Sequence, residues 1–159
     1  MKAARRVSDP VAAKPPRLLY LAKRLYAATR SRLDEITRQY DLTAGDYTML
    51  SFLKRLEPCS AAELSREQRI TPQAATQQVA QLKAKNMVTS EENQANRRIS
   101  LITMTPLGRA NLAAISAEAR LLEDEMMACL PAEDRDALLG FLVRSIEIAE
   151  KKGKMVDGQ

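Results

Sequence analysis

Residues 71–108, TPQAATQQVAQLKAKNMVTSEENQANRRISLITMTPLG, constrain the fold of this chain more than any other stretch. Thr71-Pro72 sets an N-cap hydroxyl before a proline at the first helical position, where a missing amide proton costs nothing. Ala75, Val79 and Leu82 then recur at i, i+4 and i+7, which makes one helical face apolar. Asn86 stands where the chain must leave that helix, and asparagine tolerates the left-handed backbone used there. Met87–Glu91 and Ile99–Thr103 are short β-prone segments around the polar turn Glu92–Asn96, which predicts a hairpin with adjacent arginines at its tip. Thr105-Pro106 repeats the capping device and opens another helix.

The flanking sequence is helical throughout. Leu18, Leu21, Leu25, Leu33, Ile36 and Tyr40 form a stripe at helical spacing. Thr43 caps a second helix with Tyr47, Leu50, Leu53 and Leu56 on its buried face, and Pro58 stops it. Ser60-Ala61-Ala62-Glu63 is a capping box for a short third helix, about 61–68, with Ala62, Leu64 and Ile70 inward. Two short helices joined by a tight turn, the second carrying amides on its outer face, make a helix-turn-helix. The helix after Pro106 runs to about Ala128 and has two apolar stripes: Leu107, Ala110, Ala114, Ala117 and Leu121, then Ile115, Ala119, Leu122 and Met126. A helix apolar on two sides is buried on two sides. After Pro131, Leu138, Phe141, Leu142 and Ile146 line a final helix ending near Lys151.

Composition excludes more than it selects. The net charge is +5, compatible with a nucleic-acid partner but no proof of one. Residues 1–40 hold ten basic and three acidic side chains, and residues 101–150 hold four basic and nine acidic ones. These are either two solvated faces or complementary docking surfaces. There is no histidine, which removes the commonest general base and the commonest metal ligand together. The five glycines form no phosphate-cradling loop, so no enzyme, no metal and no cofactor is expected. Cys59 and Cys129 lie outside any basic cluster that would activate a thiol, so both are expected to be structural. No apolar run approaches the ~20 residues of a membrane span, and no apolar core follows the basic N-terminus as in a signal peptide. No membrane association and a cytoplasmic location are the expectations.

Gln73, Gln77 and Gln81 lie opposite the Ala75/Val79/Leu82 face, flanked by Ala74 and Thr76. Glutamine can make two hydrogen bonds to the N6/N7 edge of adenine, and Thr76 and Ala74 can meet phosphate or a thymine methyl. Glutamines are also soluble helix formers, so the hairpin beside them is what favours DNA. Lys83 and Lys85 can meet phosphate or simply be solvated. Arg97 and Arg98 suit the enhanced negative potential of a narrow minor groove; ordinary solubility is the alternative.

The order of these segments resembles the MarR family of winged helix-turn-helix regulators: a long helix, LTAGDYTMLSFL, a capped AAELS helix, TPQAATQQVAQLKAKNMV, NRRISLITMTPLG and two late helices. The resemblance covers about residues 18–150. It implies a mainly α fold with a small β-hairpin wing, and a two-fold symmetric homodimer on a pseudo-palindromic DNA operator. It implies a winged helix-turn-helix lobe over 43–105 and a helical dimerisation region over 18–42 and 106–151. Residues 1–17 are then a flexible basic arm and 152–159 a frayed tail. Arg98 matches the wing arginine that enters the minor groove, and Gln73, Thr76 and Gln77 fall on the base-reading part of the recognition helix. The family implies a pocket for a small-molecule effector, often phenolic or an aromatic carboxylate, between the two regions. Tyr40, Tyr47 and Met49 are candidates to line it, and Arg17 or Arg109 to pair a carboxylate.

Three positions depart from the family pattern. Asn96 replaces the aspartate two places before the wing arginine, Asn86 replaces a glycine, and Gln78 stands where leucine is frequent. In the family's peroxide-sensing branch the reactive cysteine lies near the N-terminus, and no cysteine precedes Cys59 here. The function expected is a ligand-responsive repressor; the alternative is a winged-helix protein-interaction adaptor that does not bind DNA.

Overall fold

The computed structural model describes residues 17–153. The expected N-terminal arm, apart from Arg17, and the tail from residue 154 lie outside the described residues. The chain runs α1 (Leu18–Arg38), α2 (Ala44–Leu56), α3 (Ala61–Gln68), α4 (Pro72–Ala84), β1 (Val88–Asn93), β2 (Asn96–Met104), α5 (Pro106–Met127) and α6 (Ala132–Gly153). It is the mainly α, winged helix-turn-helix architecture expected.

Local capping chemistry sets most of these boundaries. Thr43 and Asp46 form a full capping box: the Asp46 amide donates to Thr43 Oγ1 and the Thr43 amide donates to the Asp46 carboxylate. Ser60 and Glu63 do the same for α3. Thr71 and Thr105 each accept the amide three residues on, with proline in the first turn. Each such cap is worth about 1 kcal/mol and fixes where a helix begins. Asp41, Arg69 and Asn86 take the left-handed backbone as the chain leaves α1, α3 and α4. Asn86 therefore performs the turn that glycine performs elsewhere.

The core lies where α2, α3 and α4 meet the base of the hairpin. Met49, Leu50, Leu53, Leu64, Ala75, Leu82 and Ile115 are fully buried, and Val79, Val88, Ile102 and Met104 close the cluster. Cys59 adds one rung to the sheet: its amide donates to the Ile102 carbonyl at 3.2 Å, and the Ile102 amide donates back at 2.7 Å.

Four readings need correction. Ala62 is exposed on α3, and Ser65 is buried instead. The strands are longer than the β-prone segments. Antiparallel pairing runs from Val88↔Met104 to Glu92↔Ser100 and closes at Asn93↔Asn96. Arg97, Arg98 and Ile99 thus occupy an irregularity on β2, just past the turn rather than in it. Leu107, Leu121 and Met126 of α5 are exposed, so among the described residues nothing covers that apolar surface. Leu138, Phe141, Leu142 and Ile146 of α6 are likewise exposed, as are Leu18, Leu21 and Leu25 of α1.

One junction holds the lobe to α5. The Thr105 amide donates to the Met87 carbonyl at 3.0 Å, and its hydroxyl also reaches the carbonyls of Asn86 and Met87. Gly108 donates its amide to Thr105 Oγ1, and a Cβ added there would lie 2.1 Å from the Met87 carbonyl oxygen. Backbone on both sides leaves nothing flexible to yield. Gly108→Ala is expected to cost about 3 kcal/mol, read as a lower urea midpoint; unchanged stability would contradict this packing.

Candidate nucleic-acid interface

Burial of Ala75, Val79 and Leu82 sets the rotation of α4, and Gln73, Ala74, Thr76, Gln77 and Gln81 are left exposed on the other side. The amide of Ala74 is already used by Thr71 Oγ1, and the Thr76 hydroxyl donates to the Pro72 carbonyl at 2.9 Å. Thr76 therefore presents acceptor lone pairs and a methyl rather than a free proton. Among the described residues the three exposed glutamines have no side-chain hydrogen-bond partner, and a glutamine amide has the donor and acceptor that two-point recognition of a base edge needs.

The hairpin stands beside this ridge. Asn93 Oδ1 accepts the Ala95 amide at 2.9 Å, and Asn96 Oδ1 accepts the Arg98 amide at 3.1 Å. The Asn96 departure thus supplies a side-chain-to-backbone turn that holds the main chain at Arg98. Arg97 and Arg98 are both exposed. Lys83 Nζ donates to Ser90 Oγ at 2.8 Å, bracing the end of α4 against β1. A cleft of about 510 Å³ separates α3 and α4 from the hairpin, with Thr76, Lys83, Ser90, Arg98 and Ile99 on its walls. Of the residues picked from sequence, Thr76, Lys83 and Arg98 meet in this cleft, while Gln73, Gln77 and Gln81 lie on the ridge outside it. Ser90 was missed; only the strand register places it within reach of Lys83. Lys85 turns inward instead, where its ammonium donates to the Asp41 carbonyl and the Asp46 carboxylate.

The five candidate effector residues have different surroundings. Tyr40 donates to Glu118 at 2.9 Å across α1 and α5, and that hydrogen bond raises the phenol above its ordinary pKa. Tyr47 Oη lies 3.4 Å from Ser116 Oγ. Met49 is fully buried in the core. Arg17 is exposed at the start of α1. Arg109 is ion-paired with Glu57, whose other oxygen accepts the Met104 amide, so it ties α5 to α2 and β2. A separate crevice of about 210 Å³ lies between α1 and α2, walled by Tyr26, Thr29, Arg30, Leu33, Gly45 and Thr48. Its cation is Arg30, which donates to Tyr26 Oη at 3.2 Å and lies 3.7 Å from Asp34. Arg30 sits in a polar stretch of α1 with no sequence signal that sets it apart.

Comparison with known proteins agrees with this geometry. A family model described as MarR family matches residues 40–99, which span α2, α3, α4 and most of the hairpin. The uncharacterized HTH-type transcriptional regulator YdgJ of Bacillus subtilis (strain 168) is 29% identical over 96 residues. That stretch is 60% of this chain and 58% of YdgJ, so the match spans well under two thirds of the relative. The crystal structure of an S. aureus MepR–DNA complex superposes with a TM-score of 0.78 at 15% identity, covering 83% of this chain and 98% of that one. S. aureus MarR in complex with salicylate and kanamycin gives a TM-score of 0.76 at 16% identity, covering 84% and 90%.

The two thiols differ in environment. Burial first, then the Glu63 and Glu57 carboxylates, push the Cys59 thiol up to about 11. Cys129 is exposed. At pH 8 only about one Cys59 in a thousand is a thiolate, and it is also out of reach. A disulfide reagent at pH 8 should titrate one thiol in the folded protein and two in denaturant. Two fast thiols in the folded state would contradict the placement of Cys59. Among the described residues no cluster of histidine, cysteine or carboxylate side chains could hold a metal ion, and no helix is long and apolar enough to cross a membrane.

Proposed function

We propose that this chain is a member of the MarR family of winged helix-turn-helix transcriptional regulators, that it reads a pseudo-palindromic DNA operator as a homodimer, and that it represses transcription until an effector binds. One observation carries the reading: an exposed glutamine ridge on α4 stands beside an arginine whose backbone is pinned at the hairpin bulge, with a cleft between them. The ridge fits the major groove, with Gln73, Gln77 and Gln81 at base edges and Ala74 and Thr76 at phosphate or thymine methyls. Arg98 enters the adjacent minor groove, and Arg97 and Lys83 meet the backbone. The adaptor alternative has lost its one motive, because Asn96 orders the hairpin instead of loosening it.

Dimerisation follows from the apolar side chains left uncovered on α1, α5 and α6. Tyr20, Leu121, Leu138, Phe141 and Ile146 are among them, and a second copy is the partner that buries them symmetrically. In this division, 43–105 reads DNA, and 18–42 with 106–151 dimerises. Two copies of α4 then lie about one duplex turn apart, roughly 34 Å.

The effector site is assigned to the crevice between α1 and α2. Arg30 there suits a carboxylate and Tyr26 an aromatic ring or phenol, a class that includes the salicylate found in S. aureus MarR. Such a ligand weakens operator binding only as far as it prefers the dimer spacing that does not fit DNA. The reading places the protein in the cytoplasm with the chromosome, with no cofactor.

Three measurements test this. Duplexes enriched from a random pool by the full-length protein should contain an inverted repeat and should lose affinity steeply with salt as counterions are released; an adaptor enriches nothing. Gln77→Ala should cost about 1–3 kcal/mol and relax preference at one base position, whereas Arg98→Ala should weaken binding to many sequences. If both variants bind like the parent, the assigned surface is wrong. In light scattering the parent should weigh near twice 17.7 kDa, and Leu138→Asp with Phe141→Asp should give single chains; a monomeric parent would overturn the dimer.

A further inference from the structure

Lys85 closes α4, yet its side chain is turned away from the surface that faces DNA. Its ammonium donates to the Asp41 carbonyl at 2.6 Å and to Asp46 Oδ2 at 3.4 Å. The Lys85 side chain is 28% exposed and that of Asp46 only 3%. Asp41 is the left-handed residue at the corner where α1 gives way to α2, and Asp46 belongs to the capping box that opens α2. The same corner is tied to α1 from the other side: the Ala44 amide donates to Asp34 Oδ1 at 3.1 Å. A polar seam therefore runs from α1, through the first turn of α2, to the C-cap of the glutamine-bearing helix.

We infer that Lys85 and Asp46 are positioning residues for duplex reading: their partly buried ion pair fixes the end of α4 against the α1–α2 corner and so sets the angle at which the glutamine ridge meets the groove. The inference rests on the DNA-binding reading above. The physical reason is asymmetry of cost. The buried Asp46 carboxylate accepts the Thr43 amide and the Lys85 ammonium, and removing the cation leaves a buried charge short of its partner. The seam then relaxes by shifting the end of α4, whose remaining side-chain ties, Lys83 to Ser90 and Thr105 to the Asn86 carbonyl, lead to the hairpin and α5 rather than to the α1–α2 corner. Core contacts through Ala75, Val79 and Leu82 set the rotation of the helix, and the Lys85–Asp46 pair adds a tie at its end. Two of the three ammonium protons are already committed inside the protein, so Lys85 acts through geometry and not as a phosphate contact.

The test uses the full-length protein and the best duplex it enriches from a random pool, titrated at several salt concentrations. Lys85→Met should lower affinity about tenfold while the slope of log K against log salt stays that of the parent. Lys85→Arg, which keeps the charge, should recover most of the binding. Asp46→Asn keeps an acceptor for the Thr43 amide and loses the charge; it should weaken binding, and the double variant should be no weaker than Lys85→Met alone. Arg98→Ala serves as the contrast, since removing a phosphate-facing cation lowers the slope by about one. Urea midpoints of every variant, measured in parallel, show how much protein is folded at each titration. The inference is overturned if Lys85→Met lowers the slope by about one, if it binds like the parent, if the two substitutions add, or if the lost affinity equals the lost folded fraction. A parent that enriches no duplex defeats the DNA-binding reading itself, whereas a binding parent matched by Lys85→Met defeats only this inference.

Discussion

A helix packed on one side has no choice about what it shows on the other. Ala75, Val79 and Leu82 are buried against α2, α3 and the base of the hairpin, and this fixes the rotation of α4 about its own axis. Gln73, Gln77 and Gln81 point outward because those three point inward. The hairpin is built on the same core: Val88, Ile102 and Met104 bury its base, so its outer end has one place to stand. Gly108 and Thr105 then lock the hairpin's root to α5 through the Met87 carbonyl. Ridge and arginine are thus two outputs of a single packed unit, and their spacing is as rigid as that unit.

Helix starts were legible because each is written in a few adjacent residues. Thr43, Ser60, Thr71 and Thr105 each carry the cap their spacing promises. Asn86 was legible for the same reason, since left-handed backbone is a property of one residue. The hairpin was only half legible. Its β-prone segments were found, but the closing register depends on Asn93 and Asn96 binding backbone amides, which strand propensity does not encode. Periodicity also marked α1, α5 and α6 as apolar without saying what covers them. Within one chain Leu121, Leu138 and Phe141 are exposed, so the stripe described a surface and not a core.

The least legible features are ion pairs between residues distant in sequence. Lys85 reads as a phosphate contact or a solvated lysine, whereas its ammonium is bound to the Asp41 carbonyl and the Asp46 carboxylate, which arrive beside it only in the fold. Arg109 looked available to an effector carboxylate, and Glu57 occupies it. Tyr40 is committed to Glu118. Chemistry that reads as free in a sequence is often already used inside the structure. Arg30, which faces the crevice between α1 and α2, carries no local signal at all.

The central claim is that one packed unit presents a major-groove ridge and a minor-groove arginine together, in two copies. Hydroxyl-radical footprinting of an enriched duplex tests it most directly. The account predicts two protected tracts whose centres lie about one helical turn apart, roughly 10 base pairs, each flanked by a protected minor-groove segment that opens in Arg98→Ala. A single protected tract, or flanks that stay closed without the arginine, would contradict it.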